Sequence, residues 1–103
     1  MKFGWSLYED EGMWYEDKCK EARISDDKLA IDCLDQEGYT VVVTAVSKDG
    51  TRFQGEYKYP SKTYKDGRVN LIRYKSETGD IFSGTWEEDG SSRRGRWIIT
   101  IHA

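Results

Sequence analysis

The sequence predicts an all-β fold, an antiparallel meander of about six to eight strands that forms a small up-and-down barrel or a strongly curled sheet. Three observations carry this. From Lys28 onward, apolar and polar side chains alternate over short runs, the pattern of a strand with one face in a core. Turn pairs containing glycine separate those runs, with no crossover helix between them. In "RFQGEY" a Phe is followed two residues on by Gly and four on by a ring, and the same arrangement returns in "IFSGTW".

Taken in order, "KFGWSLY" sets Phe3, Trp5 and Leu7 on one face, and "MWYEDKCKEARI" reads as a strand or a short helix. "KLAIDCL" alternates Leu29, Ile31 and Cys33 against Ala30 and Asp32. "YTVVVTAV" is β-branched almost throughout, and Asp49-Gly50 after it suits the positive φ of a tight hairpin turn. "RFQGEYKY" then sets Phe53, Gly55, Tyr57 and Tyr59 against Arg52, Gln54, Glu56 and Lys58. "RVNLIRY" follows Asp66-Gly67, "DIFSGTWE" follows Thr78-Gly79, and "RWIITIH" follows Asp89-Gly90 and a polar stretch. The only proline, Pro60, ends a strand before the polar loop "SKTYKDG". These are six strands, or eight if the first two segments are strands.

A glycine on the inward face removes a side chain where a sheet must bend, and the ring two residues along covers the gap. Gly55 between Phe53 and Tyr57, and Gly84 between Phe82 and Trp86, therefore read as barrel corners. Closure also removes the exposed edges that promote aggregation.

The 103 residues suit one domain, residues 1–103, with a modest core. Charged residues make up 34%, yet 14% are aromatic, and large rings are an efficient way to offset the backbone ordering cost of about 1 to 2 kcal/mol per residue. A net charge of -3 gives no general attraction to phosphate backbones or anionic lipid. Nucleic acid is not expected as a partner, although "SSRRGRW" joins three Arg to a Trp; one Arg packing on a Trp face accounts for it. No export-signal pattern and no apolar run approaching the ~18 residues of a membrane span is present, so a cytoplasmic protein with Cys19 and Cys33 reduced is expected, with no membrane partner.

The run "GMWYEDKC", Gly12 to Cys19, resembles the Gly-x-Trp-Tyr form near the first strand of lipocalins. The hairpin "VTAVSKDGTRFQGEY", Val43 to Tyr57, resembles an early avidin-type hairpin. Both families belong to the calycin group of up-and-down barrels. The resemblance implies binding in or around a barrel mouth rather than catalysis. It also implies that the early Trp packs at the closed end against a basic residue near the last strand, for which Arg94 or Arg96 is the candidate. The loops after the hairpin do not match, so no ligand-site residue is carried over.

Chemistry is sparsely marked. One His and two Cys do not make a metal site, and the acidic runs lack the spacing of a calcium loop. No metal and no cofactor is expected. Cys19 lies between Lys18 and Lys20, whose charges favour a thiolate, whereas Cys33 falls on an apolar face. No phosphate loop, nucleophile elbow or zinc-protease helix is present.

Two functions fit. In the first, a non-catalytic barrel holds a small hydrophobic or carboxylate-bearing ligand among Phe53, Tyr57, Phe82, Trp86 and Trp97, with Trp5 a further inward candidate. Arg73 joins them if it shares an inner face with Val69 and Leu71, since a buried guanidinium needs an Asp, a Glu or a ligand carboxylate. If Asn70, Ile72 and Tyr74 face inward instead, Arg73 is in water. In the second, the chain is an interaction module, an inhibitor, an immunity-type protein or a homodimer built through a sheet face, whose contacts are Trp14, Tyr15, Tyr59 and Tyr64.

Overall fold

The computed structural model describes the backbone of residues 2–102 and the side chains of residues 4–102. Eight strands follow one another: β1 (Lys2–Asp10), β2 (Met13–Ile24), β3 (Lys28–Leu34), β4 (Thr40–Ser47), β5 (Arg52–Lys58), β6 (Gly67–Ser76), β7 (Gly79–Glu88) and β8 (Arg94–His102). Each strand is antiparallel to the one before it, and β8 returns to β1, with Phe3 opposite His102 and Tyr8 opposite Trp97. The sheet is a closed barrel. No helix among the described residues is long and apolar enough to cross a membrane.

The first two segments are both strands. Glu11 and Gly12 take φ of 53° and 79° and join Asp10 to its partner Met13. Such a two-residue turn, with both φ positive, matches the twist of the strands it connects. β2 carries a bulge between Cys19 and Glu21, and the extra residue shifts its phase so that Cys19 and Ala22 both point inward and are buried.

β1 faces opposite to the expectation from its rings. Trp5 points outward and is 46% exposed, while Ser6 is fully buried. The cause lies at Gly4, where a Cβ would sit 1.8 Å from the Thr100 carbonyl oxygen; Gly4 and Ser6 form the face that lets the seam with β8 close. The side chain of Phe3 lies outside the described residues.

At both repeated motifs the neighbouring strand comes close to the glycine. A Cβ on Gly55 would lie 1.9 Å from the Thr44 carbonyl oxygen, and one on Gly84 1.8 Å from that of Asn70. The neighbouring strand's backbone thus passes through the space a side chain would fill, while Phe53, Tyr57, Phe82 and Trp86 are buried around the corners. On β6, Val69 and Leu71 are buried and Ile72 and Tyr74 are exposed, which selects the inward alternative for Arg73.

Turns 11–12, 35–39, 59–66 and 89–93 lie at one end of the barrel, and turns 25–27, 48–51 and 77–78 at the other. The second end is filled. Phe53 and Phe82 meet edge to face at 5.5 Å, surrounded by the buried Ile31, Leu71, Ile99 and Ile101. The first end is the mouth.

Outside, two cross-strand rows are free of charge. One runs Tyr74, Ile81, Thr100, Trp5 and the other Ile72, Ser83, Ile98, Leu7, across β6, β7, β8 and β1.

Candidate functional site: an aromatic cavity at the barrel mouth

The mouth encloses a cavity of about 110 Å³, of the order of the ~150 Å³ engineered cavity that takes up a benzene ring. Its inner wall comes from three strand ends. Tyr57 of β5, Trp86 of β7 and Trp97 of β8 are each at most 6% exposed. Tyr57 meets Trp97 at 5.8 Å and Trp86 at 6.2 Å, both edge to face. Tyr59 continues the set outward, 6.4 Å from Tyr57 and 5.3 Å from Tyr64. Tyr8 closes the β1 side, 6.3 Å from Trp97, and Val41 and Leu34 complete the apolar wall.

Hydrogen bonds anchor the two indoles of this wall. An indole can only donate, and both indoles donate to β1: Trp97 to the Ser6 hydroxyl at 2.7 Å, and Trp86 to the Glu9 carbonyl at 2.9 Å. Ser6 also bonds the Cys33 thiol, whose sulfur lies 3.1 Å from that of Cys19 on the facing strand. The Tyr8 hydroxyl donates to Gln36 at 3.0 Å. The hydroxyls of Tyr57 and Tyr59, by contrast, have no hydrogen-bond partner among the described residues, and both residues line the cavity.

The rim is charged. Arg93 is clamped by Asp10 and by Glu88, the latter at 3.1 Å, with its guanidinium over the Trp86 ring at 5.9 Å. Asp35 accepts the backbone N–H groups of Glu37 and Tyr39, each at 2.9 Å, and so shapes the β3–β4 turn. Tyr64 donates to Glu37. Burial pushes the Tyr8 phenol up to about 12, with the backbone N–H of Gln36 opposing and Asp17 and Asp35 adding to the rise. Burial likewise holds Tyr57 and Tyr59 well above the ordinary phenol range, and the bond to Glu37 raises Tyr64 to about 12. All four phenols are neutral at physiological pH.

Of the six residues expected to hold a ligand, Tyr57, Trp86 and Trp97 converge on this cavity. Phe53, Phe82 and Arg73 lie in the other half of the barrel. Arg73 is buried there with a partner from its own chain: its Nε donates to Asp80 at 3.0 Å, and both side chains are under 10% exposed. Its Nη1 reaches the Ser25 carbonyl at 3.3 Å and Asp26 at 3.6 Å, tying the β2–β3 turn over the filled end.

Of the four contact candidates, Tyr59 and Tyr64 belong to the cavity wall. Tyr15 stacks on Tyr8 at 5.4 Å. Trp14 is 40% exposed on the outer wall, with Arg96 over its ring at 5.2 Å. An early Trp does pair with a basic residue of the last strand, but on the outside and toward the mouth. Sequence reasoning missed Tyr8, Asp35 and Arg93. Tyr8 carried a signal, since it alternates with Gly4 and Ser6, whereas Asp35 and Arg93 sit in turns where alternation gives none.

No protein-family model matches the chain, and no curated protein does. The solved structure of a redesigned β-barrel is similar over 96% of this chain and 87% of that one, with a TM-score of 0.65 and 14% sequence identity. At that identity the likeness is one of fold alone, that of a β-barrel.

Proposed function

We propose that the chain is a non-catalytic binding protein that takes a small ring-bearing ligand into the mouth of the barrel, in a reducing compartment such as the cytoplasm. One observation carries the reading: the rings of Tyr57, Trp86 and Trp97 line the cavity while both indole N–H groups are satisfied by β1. Concave, mostly aromatic sites with a few polar groups are the usual form of a small-molecule site. Arg93, Glu88, Asp10 and Asp35 are engaged in holding the walls, which suits binding rather than turnover.

Native mass spectrometry of the protein recovered gently from its source cells tests this. A small added mass, lost when Trp97 or Tyr57 is replaced by alanine, is the expected result. The identified compound should then raise the melting temperature, since a ligand at a hundred times its Kd adds about 2.7 kcal/mol. A protein recovered bare, whose melting temperature no small ring compound raises, would overturn the reading.

A second reading, association of two copies through a sheet face, is favoured by the two uncharged outer rows. Trp5, Ile72, Tyr74 and Ile81 are 37% to 55% exposed there, and such a patch sets no like charges against its own copy in an isologous contact. Light scattering should then give a dimer that Ile81→Lys turns into a monomer.

A further inference from the structure

The mouth cavity carries more acid than base. Asp10, Asp35, Glu37 and Glu88 line it, against only Lys65 and Arg93, and Arg93 is already held between two of those carboxylates. Close behind, Asp17 has a buried carboxylate oxygen without a hydrogen-bond partner among the described residues, and Asp35 adds to the negative field that, after burial, raises its carboxyl. An entering anion would meet this surplus without a free cation deep in the cavity to receive it.

The walls point the same way. A ring face is the negative side of an aromatic quadrupole and attracts a cation placed over it, and Arg93 over Trp86 shows one such contact already made. The Tyr57 hydroxyl belongs to a side chain only 5% exposed, lines the cavity and has no protein partner among the described residues. A neutral phenol offers lone pairs to a donor, which an ammonium group supplies. The volume of about 110 Å³ limits the rest of the ligand to one ring or a short branched chain.

Resting on the mouth as a small-ligand site, we propose that its ligand is a small organic cation: an ammonium group carried on a single ring, with the N–H donors toward the phenol and carboxylate oxygens and the ring among Tyr57, Trp86 and Trp97. This turns aside the carboxylate-bearing ligand that the sequence left open.

Three near-isosteric probes separate the possibilities: protonated benzylamine, neutral benzyl alcohol and anionic benzoate, titrated into the full chain at pH 7 while the indole N–H signals are followed by NMR. The expected result is that benzylamine shifts the Trp86 and Trp97 signals more than those of Trp5 and Trp14. Its Kd should be at least tenfold below that of benzyl alcohol, and benzoate should leave both signals in place. Added salt should weaken benzylamine and not benzyl alcohol. Glu37→Gln, at an exposed position on the rim, should weaken benzylamine several-fold and by more than it weakens benzyl alcohol. If benzyl alcohol or benzoate binds at these signals as tightly as benzylamine, the cation inference falls and the ligand-binding mouth stands. If none of the three moves Trp86 and Trp97, both fall.

Discussion

The indole N–H of Trp97 donates to the hydroxyl of Ser6 at 2.7 Å across the β1–β8 seam, between two buried side chains 91 residues apart in sequence. Ser6→Ala leaves that donor buried and unpaired, which costs about 1 to 3 kcal/mol. Urea unfolding should show a lower midpoint with an unchanged slope. Trp97→Phe removes the donor, so adding Ser6→Ala to it should cost much less than Ser6→Ala alone. Additive losses would mean the two side chains do not interact.

Arg73 and Asp80 form a buried ion pair at the filled end. Removing one partner strands the other charge, a loss of about 3 to 5 kcal/mol. Arg73→Gln should therefore lower stability sharply while leaving ligand affinity at the mouth unchanged. Arg73→Leu combined with Asp80→Leu should be more stable than either single variant. Unfolding curves and a titration with any mouth ligand check both halves.

Gly84→Ala and Gly90→Ala separate two uses of glycine. At Gly84 the new Cβ would lie 1.8 Å from a backbone oxygen, whereas at Gly90, with φ of 71°, nothing lies within 4 Å. The first substitution forces strands apart and should cost about 3 kcal/mol or more. The second strains only a turn, at about 1 to 2 kcal/mol. Equal losses in thermal or chemical unfolding would contradict the close approach at the corner.

Alkali should unfold the protein from the mouth chemistry alone. Burial raises the Tyr8 phenol to about 12 and holds Tyr57 and Tyr59 higher still, against about 10 in an unfolded chain. The folded state therefore holds these protons more tightly. Their contribution is fully present below pH ~10 and is lost as pH rises through the folded-state values. Ultraviolet titration should show these tyrosines ionising only as the circular dichroism signal collapses.

The thiols should be silent in the folded state. Cys19 and Cys33 are both fully buried, and the hydrogen bond shared with Cys19, followed by burial, pushes the Cys33 thiol well up. An aromatic disulfide reagent should react only through opening of the barrel, and faster with added denaturant. Rapid reaction of one thiol in buffer would show an open path to the seam.

What could be read in the sequence follows how far each strand keeps strict alternation. "KLAIDCL" matches β3 at both ends, and β5 with its glycine corner was legible because Phe53, Gly55 and Tyr57 keep one phase. β2 was ambiguous for a physical reason: its bulge makes Cys19 and Ala22 the buried pair, a spacing of three that a helix also produces. β1 misled because Trp5, the largest side chain, lies outside and Ser6 inside. The cavity was half legible. Tyr57, Trp86 and Trp97 share the inward phase with Phe53 and Phe82, but phase does not say at which end of a barrel a residue lies. Arg73 shows a wider gap: alternation left both its inward and its outward direction open, and its partner Asp80, across the β6–β7 hairpin, was not readable at all.

The seam between β1 and β8 also sets how fast this chain can fold. Seven strand pairs join neighbours in sequence, but the eighth joins the two ends, and Trp97 cannot reach Ser6 until 91 residues of separation are closed. The entropy of that closure is lost before the rings and hydrogen bonds of the seam form. Folding should therefore run on the millisecond-to-second scale typical of non-local β topologies. The mouth, whose Trp97 wall and Tyr8 side meet only at that seam, should become able to bind only at the final step.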